Sequence, residues 1–383
     1  MTDPASNRRE FLTGRSLQAE IRQRAGAVGD AILDGSATIR ATPIAGPTIR
    51  LSTRAMACEF HVLLNTGPNS AVETWVASDA LDLVHRLEDQ MTVYREHSEL
   101  IAINRSAGAG PVVVEPGLFA ILKLAHEIAV ETGGAFDPTV MPLVRLWKQC
   151  RSEGRVPTQE EVDAAKARTG IEHVVLDDVA TTVSFLRAGI ELQLNSIGKG
   201  YALDRAAEVL AEHAVENWLL HGGNSSVLAR GEHNWLGGWP VGIRNPLFPD
   251  ERLATLILKN AAMGTSGNSV QFYRHQGQRY GHILDPRSGW PADQLLQATV
   301  IAPTSAEADA LSTAFFVMGL EKAKRFCQNR SDLSAVLIPF PRSGRVLEPV
   351  NLGVPAEDFF LSISPSVVPN STILPDDSAT DSE

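Results

Sequence analysis

Cysteine is scarce in this 383-residue chain: Cys58, Cys150 and Cys327 stand far apart, with no Cys-x-x-Cys pair. That spacing excludes a zinc ribbon and a disulfide framework and leaves buried free thiols as the expected state. Positive charge is also short. Thirty-four Lys and Arg face 45 Asp and Glu, a net charge of −11, so the overall basic footprint of a nucleic-acid-binding protein is missing. If a chain this acidic handles phosphates, it must do so locally, with backbone N–H groups, a bound cation or one or two lysines. No apolar run reaches the length of a membrane span. Both glycine signatures of nucleotide binding, Gly-x-x-x-x-Gly-Lys-[Ser/Thr] and Gly-x-Gly-x-x-Gly, are missing, and the second absence argues against a dehydrogenase.

What is present is the composition of a globular protein, 44% hydrophobic and 21% charged. Residues 1–48 are polar and end in a Pro/Gly-containing stretch, so they are expected to form a flexible arm. Arg8-Arg9-Glu10-Phe11-Leu12 is like a twin-arginine export signal, but Thr13 to Glu20 replace the apolar segment such a signal needs. A degenerate signal and a cytoplasmic protein are expected, with export through an atypical signal as the alternative. Residues 49–362 should form one domain, and 363–383, rich in Pro, Ser and Asp, a disordered tail.

Within the domain a strand pattern runs over about Leu51–Leu64. Apolar residues at three- and four-residue steps predict a helix over 70–91, and Pro116 opens another that Gly133-Gly134 ends. Thr158-Gln159-Glu160-Glu161 and Thr304-Ser305-Ala306-Glu307 are capping boxes. Strands are expected near Pro111–Val114, His173–Leu176, Thr181–Phe185, Ile190–Leu194, Trp218–Leu220, Trp239–Ile243, Leu253–Leu258, Gln297–Ala302 and Ala335–Pro339. A helix should follow Asn195–Tyr201 and run through Leu210. Met263–Asn268 reads as a glycine-rich turn. Helices and strands mix irregularly, which argues for an α+β fold.

Three stretches carry chemistry. In Tyr280–Pro291, a β-like run ends in Asp285-Pro286-Arg287-Ser288-Gly289, strong turn chemistry. It sets His282 rigidly on a short strand; the plain alternative is an edge histidine beside an ordinary hairpin. Asn195–Tyr201 is a strand, a glycine turn and a helix start, where backbone N–H groups and Lys199 attract phosphate oxygens; a simple strand-to-helix connection explains it equally well. Asp309 and Thr313 lie four apart on one side of a helix. They suit Mg²⁺, which prefers oxygen ligands, or else form a solvated Asp and a Thr bonded to its own backbone.

Taken in series, these stretches resemble the FAD:protein FMN transferase family, the Mg²⁺-dependent flavin transferases. The resemblance runs from Met56 to Gly319. It includes Met56-Ala57-Cys58, Met91-Thr92-Val93-Tyr94 with Ser98-Glu99-Leu100, Gly134 to Val140, and Asn195 to Asp204. It continues through Thr265-Ser266-Gly267, His282 to Gly289, and Ala308 to Ala314. The resemblance implies an α+β fold related to the tunnelling fold, and a reaction. FAD is split at its pyrophosphate, FMN is attached through a phosphoester to a Thr or Ser of a target flavoprotein, and AMP leaves. It implies His282 as general base. Asp309, Thr313 and the Ser196 carbonyl are the implied Mg²⁺ ligands, and Met56, Tyr94, Ala135, Phe136, Asp137, Lys199 and Ile283 the implied FAD contacts. Gln193 stands where the family usually has Asp, and Asn224 replaces the Asp of a Gly-Gly-Asp. An amide at Gln193 still hydrogen-bonds FAD but brings no charge, and Asp309 is expected to carry more of the metal binding. Two other activities use the same residues: an Mg²⁺-dependent FAD pyrophosphatase, and a flavin-binding protein without turnover.

Overall fold

Two β-rich runs pair as a hairpin, β1 (Thr48–Ala55) against β2 (Cys58–Asn65). The break falls at Met56 and Ala57, which adopt φ of 50° and 59°, the left-handed pair that a two-residue hairpin turn requires. Neither is Gly or Asn, so the sequence showed one strand region where there are two strands. The computed structural model describes residues 46–268, 272–342 and 344–362. The expectations for residues 1–45, including the twin-arginine-like motif, and for 363–383 lie outside the described residues.

The chain continues through α1 (Ser70–Met91), α2 (Glu99–Ser106), β3 (Val112–Val113), α3 (Pro116–Glu131), α4 (Met141–Ser152) and α5 (Gln159–Lys166). Then come β4 (Val174–Asp177), β5 (Thr182–Phe185), α6 (Gly198–Glu212), β6 (Trp218–Gly222), β7 (Ser226–Arg230), β8 (Trp239–Arg244), β9 (Arg252–Leu258) and β10 (Ala261–Gly267). The hairpin β11 (Phe272–His275) and β12 (Gln278–Gly281) leads to β13 (Gln297–Ala302), α7 (Ser305–Met318), α8 (Leu320–Gln328), β14 (Ser334–Ile338), β15 (Val350–Leu352) and β16 (Phe359–Leu361).

Eight strands form one antiparallel sheet in the order β1-β2-β6-β7-β10-β13-β14-β15. Alternation along each strand gives it two apolar faces. Phe60, Val62, Leu64, Ala298 and Val300 join the core shared with α1, α6 and α7, whereas Leu219, Val227 and Met263 pack toward the small sheet β16-β9-β8. This is the expected α+β organisation, with helices on one face and a second sheet on the other.

The capping box at Thr158 is complete: Thr158 Oγ1 accepts from Glu161 N, and Thr158 N donates to Glu161 Oε2 at 2.8 Å. The one at Thr304 is half made. Its Oγ1 accepts from Glu307 N, but the Glu307 carboxylate is taken by Arg330 at 2.6 Å. Two expectations are corrected. Ile190–Leu194 is extended but joins no sheet, because Leu192 exchanges both backbone bonds with the Asn104 side chain and Gln193 N bonds the Pro138 carbonyl. Met263–Asn268 is no turn: all but Asn268 belongs to β10, and Gly264 is needed because a side chain there would run into the Ala308 carbonyl. The helix α4, unanticipated, buries Leu143 and Trp147. The three cysteines are free; Cys150 is buried, and Cys58 and Cys327 are partly so.

Candidate active site

Helix α7 is enclosed on nearly every side, since Ala308, Ala310, Leu311, Ala314, Phe315 and Phe316 are all fully buried. A carboxylate placed in such a helix must be partnered. Asp309, 4% exposed, accepts from Ser226 Oγ at 2.6 Å through Oδ1 and from Gly200 N at 2.9 Å through Oδ2. Lys199 Nζ stands 3.5 Å from Oδ2. One turn on, Thr313 Oγ1 lies 3.4 Å from the Asp309 carbonyl and 3.1 Å from Ser266 Oγ, which also reaches Ser312. Asp309 is therefore not on a solvated face, while Thr313 does make a long bond to its own helix.

The start of α6 is shaped by the same carboxylate. Its first helical bond runs from Tyr201 N to the Ile197 carbonyl, while the Gly200 N–H, one residue earlier, points to Asp309. The Ser196 carbonyl is thereby left outside the helical ladder, at the mouth of the helix that presents Lys199. Further along α6, Asp204 caps the start of α7, accepting from Ser305 N and Ala306 N at 2.8 Å each. Burial pushes its pKa up to about 7, helped by the nearby Asp309 charge.

The donor types at hand, the Asp309 carboxylate and the Thr313 hydroxyl on α7 and the Ser196 carbonyl at the start of α6, are all oxygen. Among the described residues no group of three His, Cys, Asp or Glu forms a metal cluster. A sparse oxygen set of this kind fits Mg²⁺, which keeps waters and shares its coordination with substrate phosphates.

The β1–β2 turn belongs to the same neighbourhood. Met56 N donates to Glu88 Oε1 at 2.8 Å. The Cys58 thiol, pushed up in pKa chiefly by burial, feels an opposing pull from Lys199 and a like-charge push from Asp309. Tyr94, in the loop after α1, is 70% exposed, with Lys148 Nζ 5.8 Å from its ring centre.

The loop after α3 folds around Asp137. Its Oδ1 accepts from Thr139 N at 2.8 Å and Thr139 Oγ1 at 2.6 Å, and its Oδ2 from Ile171 N at 3.2 Å. Burial raises its pKa against those bonds. Both oxygens thus serve the loop, which holds Ala135 and Phe136 buried. Gln193, 7% exposed, is joined to it through Gln193 N and the Pro138 carbonyl at 2.8 Å.

His282 follows β12 by one residue and is exposed. Asn268 holds its neighbours: Asn268 Oδ1 accepts from Ile283 N at 3.5 Å, and Gly281 is pressed against the Asn268 amide. Ala292 N to the Ile283 carbonyl closes the following turn, with Gly289 N bonding the Asp285 carbonyl. Asn268 lies two residues beyond Ser266, about 7 Å along the strand direction, and Ser266 touches Thr313. The end of β10 therefore links the α7 hydroxyl to the segment that carries the imidazole. Sequence reasoning missed Ser226 and Asn268. Nothing local marks either one, because each acts on a residue far away in the chain.

Comparison with known proteins gives one family model that matches residues 56–337, the ApbE family. The FAD:protein FMN transferase of Klebsiella pneumoniae (strain 342) is 33% identical over 265 residues, covering 69% of this chain and 82% of that protein. That of Treponema pallidum (strain Nichols) is 31% identical over 307 residues, covering 76% and 81%. Among solved structures, the flavin transferase ApbE from Vibrio cholerae superposes with a TM-score of 0.68 at 27% identity, covering 80% of this chain and 98% of that one.

Proposed function

From the premise that this chain belongs to the ApbE family, we propose that it transfers the FMN moiety of FAD, with Mg²⁺, to a Thr or Ser hydroxyl of a target flavoprotein. The curated relatives are FAD:protein FMN transferases, so the enzyme class is a flavin transferase. The observation that carries the finer reading is the buried Asp309, whose carboxylate is held between Gly200 N at the start of α6, beside Lys199, and the Ser226 hydroxyl.

In the reaction the acceptor oxygen attacks the phosphorus of the FMN half. The P–O bond to the AMP half breaks, and AMP departs with the electron pair. His282 takes the proton of the attacking hydroxyl, the task of a general base within hydrogen-bond reach of the acceptor. Its exposure at the end of β12 lets a protein acceptor approach. Asp309, Thr313 and the Ser196 carbonyl would hold Mg²⁺, which when bound would neutralise pyrophosphate charge. Lys199 adds a point charge beside them. Met56, Tyr94, Ala135, Phe136, Asp137, Gln193 and Ile283 shape the FAD site. Asp137 does so through the loop it organises, and Gln193 as a neutral amide.

The test incubates the protein with FAD, MgCl₂ and a threonine-bearing acceptor domain, then denatures the acceptor. Flavin fluorescence that stays with the acceptor and requires Mg²⁺ is expected. Release of free FMN alone would replace transfer by pyrophosphatase activity, and intact FAD after long incubation would leave binding without turnover.

A further inference from the structure

We infer that Ser226 is a positioning residue that aims the Asp309 carboxylate at the bound cation, an inference that rests on Asp309 being a metal ligand. Ser226 sits in β7 directly between two glycines, paired with Gly222 of β6 and Gly264 of β10. Directly paired residues of an antiparallel sheet project on the same face, here the face that receives α7. A side chain at Gly264 would run into the Ala308 carbonyl, and one at Gly222 would press on the Phe60 ring. Gly264 thus lets the helix seat closely on the sheet, Gly222 leaves room for the Phe60 ring, and Ser226 is the one residue of the three whose side chain reaches α7.

That hydroxyl is fully buried and lies 2.6 Å from Asp309 Oδ1. Ser225 Oγ, 3.4 Å away, is its other hydroxyl neighbour. Gly200 N holds Oδ2 from the opposite side at 2.9 Å. Two donors from two different elements, one on each oxygen, fix the rotation of the carboxylate. Each oxygen keeps further lone-pair capacity. Without Ser226, Oδ1 loses its donor, and only the contacts of Gly200 N and Lys199 at Oδ2 still orient the carboxylate.

The test uses the full chain without FAD and Mn²⁺ as probe, an ion that accepts the same oxygen ligands, read by the electron paramagnetic resonance of free Mn²⁺. Ser226→Ala is expected to weaken Mn²⁺ binding by about 10- to 100-fold, the usual effect of removing a hydrogen-bond partner of a metal ligand. Ser226→Thr keeps the hydroxyl and should bind close to the parent. Circular dichroism in EDTA checks that each variant is folded, and Ser226→Cys replaces any that is not, its weak thiol donor giving an intermediate affinity. Parental affinity in Ser226→Ala, or a folded Ser226→Thr as weak as Ser226→Ala, overturns the inference. Asp309→Ala separates the two levels. If it loses Mn²⁺ while Ser226→Ala does not, only the role of Ser226 fails. If it keeps Mn²⁺, the metal assignment falls and the inference with it.

Discussion

Gly200 packs against Ser305 so closely that a methyl group on its α-carbon would run into the Ser305 carbonyl. The contact sets the distance between α6 and α7, and so between Lys199 and Asp309. Gly200→Ala should therefore cost about 3 kcal/mol or more, the upper range for overpacking against backbone. Gly108→Ala is the control, since nothing lies within 4 Å of that position and its φ is ordinary. Urea unfolding of the two variants checks the contrast; equal midpoints would show that α6 and α7 separate at little cost.

Asp204 ties the same two helices and makes the fold pH-sensitive. Its folded pKa of about 7 stands above the ordinary carboxylate value because of burial. The folded state therefore binds more protons than the unfolded state between about pH 4 and 7, and stability falls as pH rises through that window. The loss is at most about 4 kcal/mol for three pKa units. The N–H bonds from Ser305 and Ala306 favour the ionised form, and the value of about 7 already includes their opposing pull. Asp204→Asn removes the titration, so its thermal midpoint should change less between pH 5 and pH 8 than the parent's. Parallel pH profiles would place the sensitivity elsewhere.

Local signals were legible and long-range ones were not. The 3.6-residue periodicity of residues 70–91 and the Thr158–Glu161 box are written within one turn or one helix face, and both appear where expected. Asp309 and Thr313 were visible as a spaced pair, because four residues on a helix define a side. The partners that bury Asp309 come from Ser226 and Gly200, 83 and 109 residues away, and no spacing rule reaches that far. Ile190–Leu194 was misread for a related reason. Its alternation is that of a strand, but the Asn104 side chain takes the backbone bonds a neighbouring strand would make. Gly264 misled in the opposite sense, since glycine permits a turn and equally a close helix approach.

His282 should govern the chemical step and not FAD binding. His282→Ala is expected to lower kcat by about 10²- to 10⁴-fold, the usual contribution of a positioned base, with KM for FAD little changed. The acidic limb of the parental pH–rate profile, where an imidazole base becomes protonated, should disappear with it. A variant that keeps the limb would assign the base to another group.

Asp137 offers a way to tell loop organisation from direct ligand contact. Its carboxylate takes three hydrogen bonds from Thr139 and Ile171, and Asp137→Ala leaves those buried donors unmatched. Each such donor costs about 1–3 kcal/mol, so a loss of roughly 3 kcal/mol or more is expected in equilibrium unfolding. FAD affinity should fall in parallel, because Ala135 and Phe136 are carried by the same loop. Asp137→Asn keeps an acceptor for Thr139 but turns an amide N–H₂ toward the Ile171 N–H, so it should fall between parent and Asp137→Ala in both measurements. Were Asp137→Ala to retain parental stability and lose FAD binding alone, the carboxylate would have to touch the flavin nucleotide itself, and the internal bonds to Thr139 and Ile171 would have to open when it binds.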